Sequence, residues 1–491
     1  MRLRLEKRTR SAYGPRLTRV IFQFDVFDED VFEVLRLARS WENSFAPINR
    51  IPPEILSTIP DFLGTGDTVI VLTHVCRAWR EVFVSRPSLW TDFNCVYPDK
   101  TRVYLERSKS SPIDLWLERG DDVYPSVPIL QVIHRDPVLQ VIPHATGRLR
   151  SLHIDATWEY VEAIGARLSH PAPLLEKLSI HSDYHSEFGS TLFNRDLSSL
   201  RRLRLEYFTA KLPWRNMANL TSFVLTCAVP VFVGQLLDFL EGAPHLREIH
   251  LRFGSSISGA QNGRLVQLTR LKVMYADGST PSRLFDYLLI PVGARLRMNL
   301  DPPNPSIKAV PPRFIDNLRN LSGFTSIKLD RRRMEFSGPN GEVVMIPQVY
   351  WSYLAFESLA PINTSGTERL EIECCEAPSS FPLYRALIPM NDLRTLIFTR
   401  CESLYNFIDA LHPSMSSPEV VVCPRLEELV IDHHKMFAIQ NVVGMAAARA
   451  SKGAKLKTVR ITILLGAVHP QPNTLELKRH VSHVEFRYTR R

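Results

Sequence analysis

No apolar run in this sequence is long enough to cross a bilayer, which takes roughly 18 residues. The longest, TVIVLTHV (68–75) and ITILLGAV (461–468), are the length of a buried strand or a short helix. Nor is there a disulfide or zinc pattern. The seven cysteines are scattered, with no C-x-x-C pair, and they fit a reducing, intracellular setting, cytoplasmic or nuclear. The first residues, MRLRLEKRTRSAYGPRLTR, lack the apolar stretch of a secretory leader, and Glu6 speaks against an Arg-rich transit peptide. Residues 1–44 therefore read as a basic, partly disordered extension. The sequons at Asn219, Asn320 and Asn363 carry weight only in a secreted chain.

Catalytic patterns are missing too. There is no GxxxxGK[ST], no GxSxG and no HExxH. GTGDTV (64–69) lacks the third glycine of a dinucleotide loop. His181 and His185 follow a strand pattern rather than sharing a helix face with a carboxylate, and His433-His434 are merely adjacent, so no metal site is expected. Cys374-Cys375 are vicinal, with burial as the default expectation. The Arg331–Arg333 run reads as a solvated strand end, with contact to an acidic partner as the alternative. The expectation is a chain that is not an enzyme and needs no cofactor or metal.

What is present is an ordinary globular composition, 45% hydrophobic and 23% charged, over 491 residues. The formal net charge of +9 lies at the ends: residues 1–24 hold seven Lys/Arg against one Glu, and 475–491 hold five against two. The body between is neutral, which argues against a nucleic-acid reader and gives no reason to expect a membrane partner.

Residues 48–93 read INRIPPEILSTIPDFLGTGDTVIVLTHVCRAWREVFVSRPSLWTDF. Pro52 and Pro53 suit the first turn of a helix, and Glu54 suits its positive end. Ile55, Leu56, Ile59 and Leu63 follow at helical spacing. Gly64–Gly66 break that helix and Asp67 can cap a second, which carries Val69, Leu72, His74 and Val75. Val75, Trp79 and Val82 give a third amphipathic stretch, with Arg77, Arg80 and Glu81 on its wet face and Pro87 at its end. Trp79 is expected to anchor the core of a unit too small to be robust alone.

The order I-P-P-E-I-L, then D-x-x-x-x-L-x-x-V-C-R-x-W-R, then S-L-W resembles the F-box. That resemblance implies a three-helix module over 45–92 that docks a Skp-type adaptor and, through it, a cullin scaffold. By matching positions, Ile51, Pro52, Glu54, Ile55, Ile59, Leu63, Val75 and Trp79 would form or support the docking surface, and Leu89 and Trp90 would fasten the module to the next domain. Two departures stand out: Ile-Pro replaces the commoner Leu-Pro, and Pro60 should kink or shorten the first helix.

Downstream, six-residue windows carry apolar residues at positions one, four and six. The clear ones are LRSLHI (149), LEKLSI (175), LRRLRL (200), LTSFVL (220), LREIHL (246), LTRLKV (268), FTSIKL (324), LRTLIF (393), LEELVI (426) and LKTVRI (456). Weaker ones are PIDLWL (112), GARLRM (293), TERLEI (367) and VSHVEF (481). Between 149 and 293 the steps run from 20 to 26 residues, the period of leucine-rich repeats. The alternating tail makes a short strand with its apolar residues inward. Segments such as FVGQLLDFLEGAPH, SRLFDYLLIP, LYNFIDALHP and QNVVGMAAARA are expected to supply helices or turns behind the strands.

The Asn or Cys that should follow each strand is mostly absent, with Thr157, Asp183, Phe208, Ala228 and Gly254 in its place; Cys375 and Cys401 fit the Cys version. The expected fold class is thus α/β: a small three-helix F-box module followed by an irregular leucine-rich-repeat solenoid, a curved sheet of short strands backed by helices. Residues 93–145 form a connecting segment with the first repeat-like unit, and 146–491 the repeat domain. Two interruptions are a Pro-rich loop at 301–312 and a β-hairpin inserted at 334–346 around P-N-G.

The function implied by the resemblance is target recognition within a Skp–cullin–F-box ubiquitin ligase, with the target unknown. His153, Arg204, His250 and Lys272 on the outward strand face are candidate target contacts. The alternative is a non-ligase interaction scaffold whose helical cap seals one end of a repeat solenoid.

Overall fold

The computed structural model describes residues 31–43, 45–63, 68–95, 97–119, 142–143, 145–186, 192–208, 217–227, 231–254, 259, 263–278, 284–300, 323–339, 341–347, 356, 359, 362–375, 379–401, 404–413, 421–434, 439–465 and 474–490. Several expectations lie outside these residues: the basic stretch over 1–30, the glycine breaker and Asp67 cap, residues 120–141 of the connecting segment, the side chain of His185, Ala228, Asn320 and the Pro-rich loop 301–312. No helix among the described residues is long and apolar enough to cross a membrane.

The chain divides into two compact units. Among the described residues, the first runs from 31 to Glu118 and takes in 148–150. Its elements are α1 (31–43), a 3-10 turn (Pro47–Arg50), α2 (Pro53–Leu56), α3 (Ile59–Leu63), α4 (Thr68–Thr73), α5 (Arg77–Val84), a second 3-10 turn (Pro87–Trp90), β1 (Asp92–Asn94), α6 (Pro98–Ser108) and β2 (Ile113–Arg119). β1 and β2 pair in parallel, Phe93 opposite Leu115.

The second unit is a mixed α/β structure. Its elements run β3 (Leu149–Ala156), α7 (Trp158–Arg167), β4 (Lys177–Ser186), β5 (Arg202–Phe208), β6 (Ser222–Cys227), α8 (Val233–Glu241), β7 (Glu248–Phe253), β8 (Val266–Gln267), β9 (Val273–Gly278), β10 (Leu288–Leu289) and β11 (Arg295–Leu300). After these come β12 (Ser326–Leu329), β13 (Met334–Gly338), β14 (Gly341–Pro347), β15 (Arg369–Glu373), α9 (Ser380–Leu387), β16 (Thr395–Thr399), α10 (Leu404–Ala410), β17 (Glu428–His434), α11 (Ile439–Ser451), β18 (Thr458–Leu465), α12 (Thr474–His480) and β19 (His483–Arg490).

Strands β3 to β7, then β9 and β11, each pair in parallel with the next. The same holds from β12 through β15 to β19. Except for LTRLKV, each clear apolar window becomes one strand whose second and third apolar residues point inward: Leu203 and Leu205, Ile249 and Leu251, Leu429 and Ile431 are all buried. Period-two alternation is what puts them on one face.

Two expectations of strand position are corrected. In LTRLKV the inward set is Leu271, Met274 and Ala276, three residues later than the window implied. Leu268 and Leu271 both fit the first position, but the Leu268 N–H bonds to the Leu289 carbonyl, beside the separate β8–β10 pair, and so leaves the main sheet. Lys272 therefore precedes β9, and Tyr275 takes the outward place opposite His250. SRLFDYLLIP, expected as a helix or turn, forms a 3-10 turn (Phe285–Tyr287) and then β10, where Leu288 and Ile290 alternate into the core.

The 334–346 hairpin is no appendage, since β14 pairs in parallel with β11 and β13 pairs antiparallel with β12, so the hairpin joins the two halves of the sheet. Gly341, at φ +117°, makes its turn, where a side chain would also crowd the backbone of Gly293. Asp183, read as standing in a repeat position, accepts the Trp158 N–H at 2.8 Å and caps α7.

Cys375 and Cys401 are buried at strand ends, each after a residue in the left-handed region (Cys374 and Arg400, both φ +53°). The Cys401 thiol donates to the Ile372 carbonyl at 3.1 Å, and the Cys375 thiol to the Glu373 carbonyl at 3.2 Å. Burial pushes both up to about 12, and does the same to Cys423. At pH 8 these thiols stay protonated. Alkylation of the native protein should therefore modify half-buried Cys76 and Cys374 well before Cys375, Cys401 and Cys423, as read by peptide mass mapping over time.

Helices α9 to α12 pack on one another in succession. In α11, Arg449 is fully buried and donates to the carbonyls of Val422 and Cys423, both at 2.7 Å. Burial lowers its pKa from the ordinary arginine value. Arg449→Met would strand two buried carbonyls. It should cost about 3 kcal/mol, seen as a lower denaturant midpoint.

Candidate functional site

The helical module of the first unit forms around four buried side chains, Leu56, Leu72, Trp79 and Phe83. Ile51, Ile59, Cys76, Val82 and Leu89 pack against them. The Trp79 and Phe83 rings meet edge to face, with centroids 5.6 Å apart. The expected first helix is two short ones. Pro60 cannot donate to the i−4 carbonyl, so the chain turns at Ser57–Thr58 and restarts as α3, with Pro60 in its first turn. The broken end is tied down by side chains: Ser57 Oγ donates to the Glu54 carbonyl at 2.7 Å, Thr58 Oγ1 to the Ile55 carbonyl at 2.8 Å, and Arg86 to the Ser57 carbonyl at 2.8 Å. Arg80, expected on a wet face, reaches back to the Thr73 carbonyl at the end of α4, 2.9 Å away.

α4 ends at Thr73, so His74 and Val75 belong to the turn before α5, not to a helix. Val75 consequently does not share the face of Trp79 and stands exposed.

The expected docking residues thus separate into two sets. Trp79, 7% exposed, and the partly buried Ile51 and Ile59 face the core and can support a surface but hardly form one. Pro52, Glu54, Ile55 and Val75 face solvent, Ile55 at 58%. The side chain of Leu63 lies outside the described residues. Phe62, 84% exposed, and Val71 join the outward apolar set and were missed. Phe62 follows Ile59 by three, a helical spacing hidden because Pro60 obscured where the helix began.

Asn49 was also missed. Its Oδ1 accepts the Trp79 indole N–H at 2.8 Å, and its Nδ2 donates to the Asn43 carbonyl at 2.6 Å, tying the end of α1 to the core. The signal was available in principle, because a buried indole N–H needs an acceptor.

Leu89 and Trp90, expected to fasten the module to the next domain, make their contacts within the first unit, Trp90 reaching α6 beyond the module. Leu89 packs on the module core. Trp90, fully buried, donates to the Phe83 carbonyl at 2.9 Å and meets Tyr104 of α6 edge to face at 5.0 Å, with the Arg107 guanidinium 4.2 Å from its ring.

Residues 48–96 match the family model described as F-box-like. The chain carries an F-box-like domain. No curated protein matches the chain. The F-box-like boundary runs slightly past the expected 92 and takes in β1, whose Phe93 packs against Tyr104 at 5.0 Å.

In the second unit, His153 and His250 are half-buried on outward strand positions and Arg204 is exposed. Arg204 is engaged by Glu206 at 2.8 Å, and His250 by Glu248 at 2.9 Å. His181 faces Asp155 at 2.8 Å. Arg333 pairs with Asp330 and Glu335, at 2.8 and 3.0 Å. Among the described residues, no group of three His, Cys, Asp or Glu side chains could hold a metal ion.

Asn49→Ala should lower stability of the F-box-like domain by about 1–3 kcal/mol, by leaving the Trp79 N–H unpaired. Trp79→Ala should cost about 3–5 kcal/mol. Urea unfolding of both variants checks the order.

Proposed function

We propose that the chain is a non-enzymatic target-recognition subunit of a Skp–cullin–F-box ubiquitin ligase. F-box domains typically bind Skp-type adaptors. Here the F-box-like match at 48–96 carries the reading, supported by apolar side chains exposed where a partner could cover them: Ile55, Phe62, Val71 and Val75. Pro52 and Glu54 stand exposed beside them. The adaptor links the chain to a cullin scaffold, and the transfer chemistry belongs to those partners. This chain contributes proximity, converting an encounter between target and ubiquitin carrier into a step within one assembly.

In the same reading, the sheet of the second unit is a degenerate leucine-rich-repeat array whose outward face holds the target protein. Its parallel strands, joined in chain order, support that view. The seven free cysteines suit a cytoplasmic or nuclear setting.

Co-purification with a Skp-type adaptor tests the ligase reading. Wild type should hold the adaptor one to one. Ile55→Glu combined with Val75→Glu changes only exposed positions. It should leave the unfolding midpoint in place and weaken capture at least tenfold, while Arg204→Ala retains it. Failure of the folded wild type to bind any adaptor would overturn the proposal and leave an interaction scaffold.

A further inference from the structure

In-register pairing lines up the outward residues of the sheet in rows that cross the strands. One row from β4 to β11 reads Lys177, Arg202, Ser222, Glu248, Val273 and Arg295. The next, two residues further along each strand, reads Ser179, Arg204, Val224, His250, Tyr275 and Arg297.

The two halves of the sheet treat their cations differently. From β12 to β19 several outward cations are neutralised by neighbours. Lys328 sits between Glu371 and Glu373 at 2.7 and 3.0 Å, Arg460 between Glu428 and Glu485 at 3.0 and 3.5 Å, and Lys457 beside Glu427 at 2.7 Å. In the first half, Lys177, Arg202, Arg295 and Arg297 make no ion pair among the described residues; exposed Glu342, at the start of β14 beside Arg295, makes none there either, while three other nearby acids are engaged. Glu206 pairs with Arg204 at 2.8 Å and Asp277 with Arg252 at 3.6 Å. Glu248 receives both His250, at 2.9 Å, and the Ser222 hydroxyl, at 3.2 Å. At the strand starts, exposed Arg201, Arg247 and Lys272 outnumber the half-buried Glu176.

These four cations stand at two places, Lys177 and Arg202 on β4 and β5, and Arg295 and Arg297 on β11. Between them β6 offers short side chains, Ser222, Val224 and Thr226, and β7 and β9 offer His250 against Tyr275, with ring centroids 4.3 Å apart. Four strand spacings separate β5 from β11, about 19 Å. An extended chain covers that distance in about five or six residues.

We infer that this face binds an extended peptide segment of a target protein, laid across β5 to β11, with carboxylates five or six residues apart and an uncharged middle. The inference rests on the reading that the sheet holds the target, and it supplies that target's chemistry. One acidic end meets Lys177 and Arg202, the other Arg295 and Arg297, and the uncharged middle crosses the short side chains of β6 and the His250–Tyr275 pair.

The test selects random dodecamer peptides by display on the full chain, then measures the selected peptides by fluorescence anisotropy. Enriched sequences should carry Asp or Glu at two positions five or six apart. Arg202→Glu with Arg295→Glu and Arg297→Glu should weaken binding at least tenfold at an unchanged unfolding midpoint. Arg102→Glu with Arg394→Glu and Lys478→Glu, an equal change of net charge elsewhere, should not. Enrichment without the acidic pair, no enrichment at all, or equal loss in both triple variants would overturn the inference. Phosphoserine in place of the acids should bind no more than a few-fold tighter; a tenfold gain would make phosphate, not carboxylate, the ligand and overturn the assignment. Adaptor capture is read on the same triple variant, so loss of peptide binding with capture retained removes the peptide site alone, and loss of capture by wild type removes the ligase reading alone.

Discussion

A strand buried on one face cannot slip by one residue without turning its whole apolar set toward water. That constraint organises the second unit. Leu203 and Leu205 lie opposite Phe223 and Leu225, and these lie opposite Ile249 and Leu251, all inward and nearly inaccessible to solvent. With the inward rows fixed, the outward rows are fixed too, so side chains twenty or more residues apart in sequence come to stand side by side. The ion pairs of β12 to β19 and the outward cations of β4 to β11 are both products of that registration. The 334–346 hairpin obeys the same rule, since Phe336 and Val343 continue the inward row while the strand direction reverses between them.

The F-box-like domain solves a different problem. Several short helices bury little surface, so each buried group matters and the larger side chains are shared. Trp79 fills the core and draws Asn49 under α1, while Trp90 closes the far side against Phe83 and Tyr104. Such packing leaves Ile55, Phe62, Val71 and Val75 outside. In a unit this small, the outward apolar residues are those that the core has no room for.

Much of this was legible beforehand. The F-box-like motif fell where the family match places it, and the apolar windows from LRSLHI to LKTVRI became strands, LTRLKV alone being off by three. That window failed because Leu268 and Leu271 satisfy the same local pattern and only the β8–β10 pair decides between them. Val75 was placed on a helix because V-x-x-x-W has helical spacing, although the chain turns at His74. Phe62 and Asn49 went unread, the one hidden behind Pro60 and the other a short polar residue with no periodicity of its own.

The sequence by itself determined which residues face inward, since alternation along a strand and spacing along a helix are properties of a few consecutive residues. It also determined the F-box-like domain, whose motif lies within one short stretch. Tertiary structure alone decided who stands beside whom: Asn49 beneath Trp79, the hairpin inside the sheet, Lys328 between two glutamates and Arg297 opposite Tyr275. Those relations depend on pairing between strands and on side chains separated by tens of residues, and no local pattern encodes a distance of that kind.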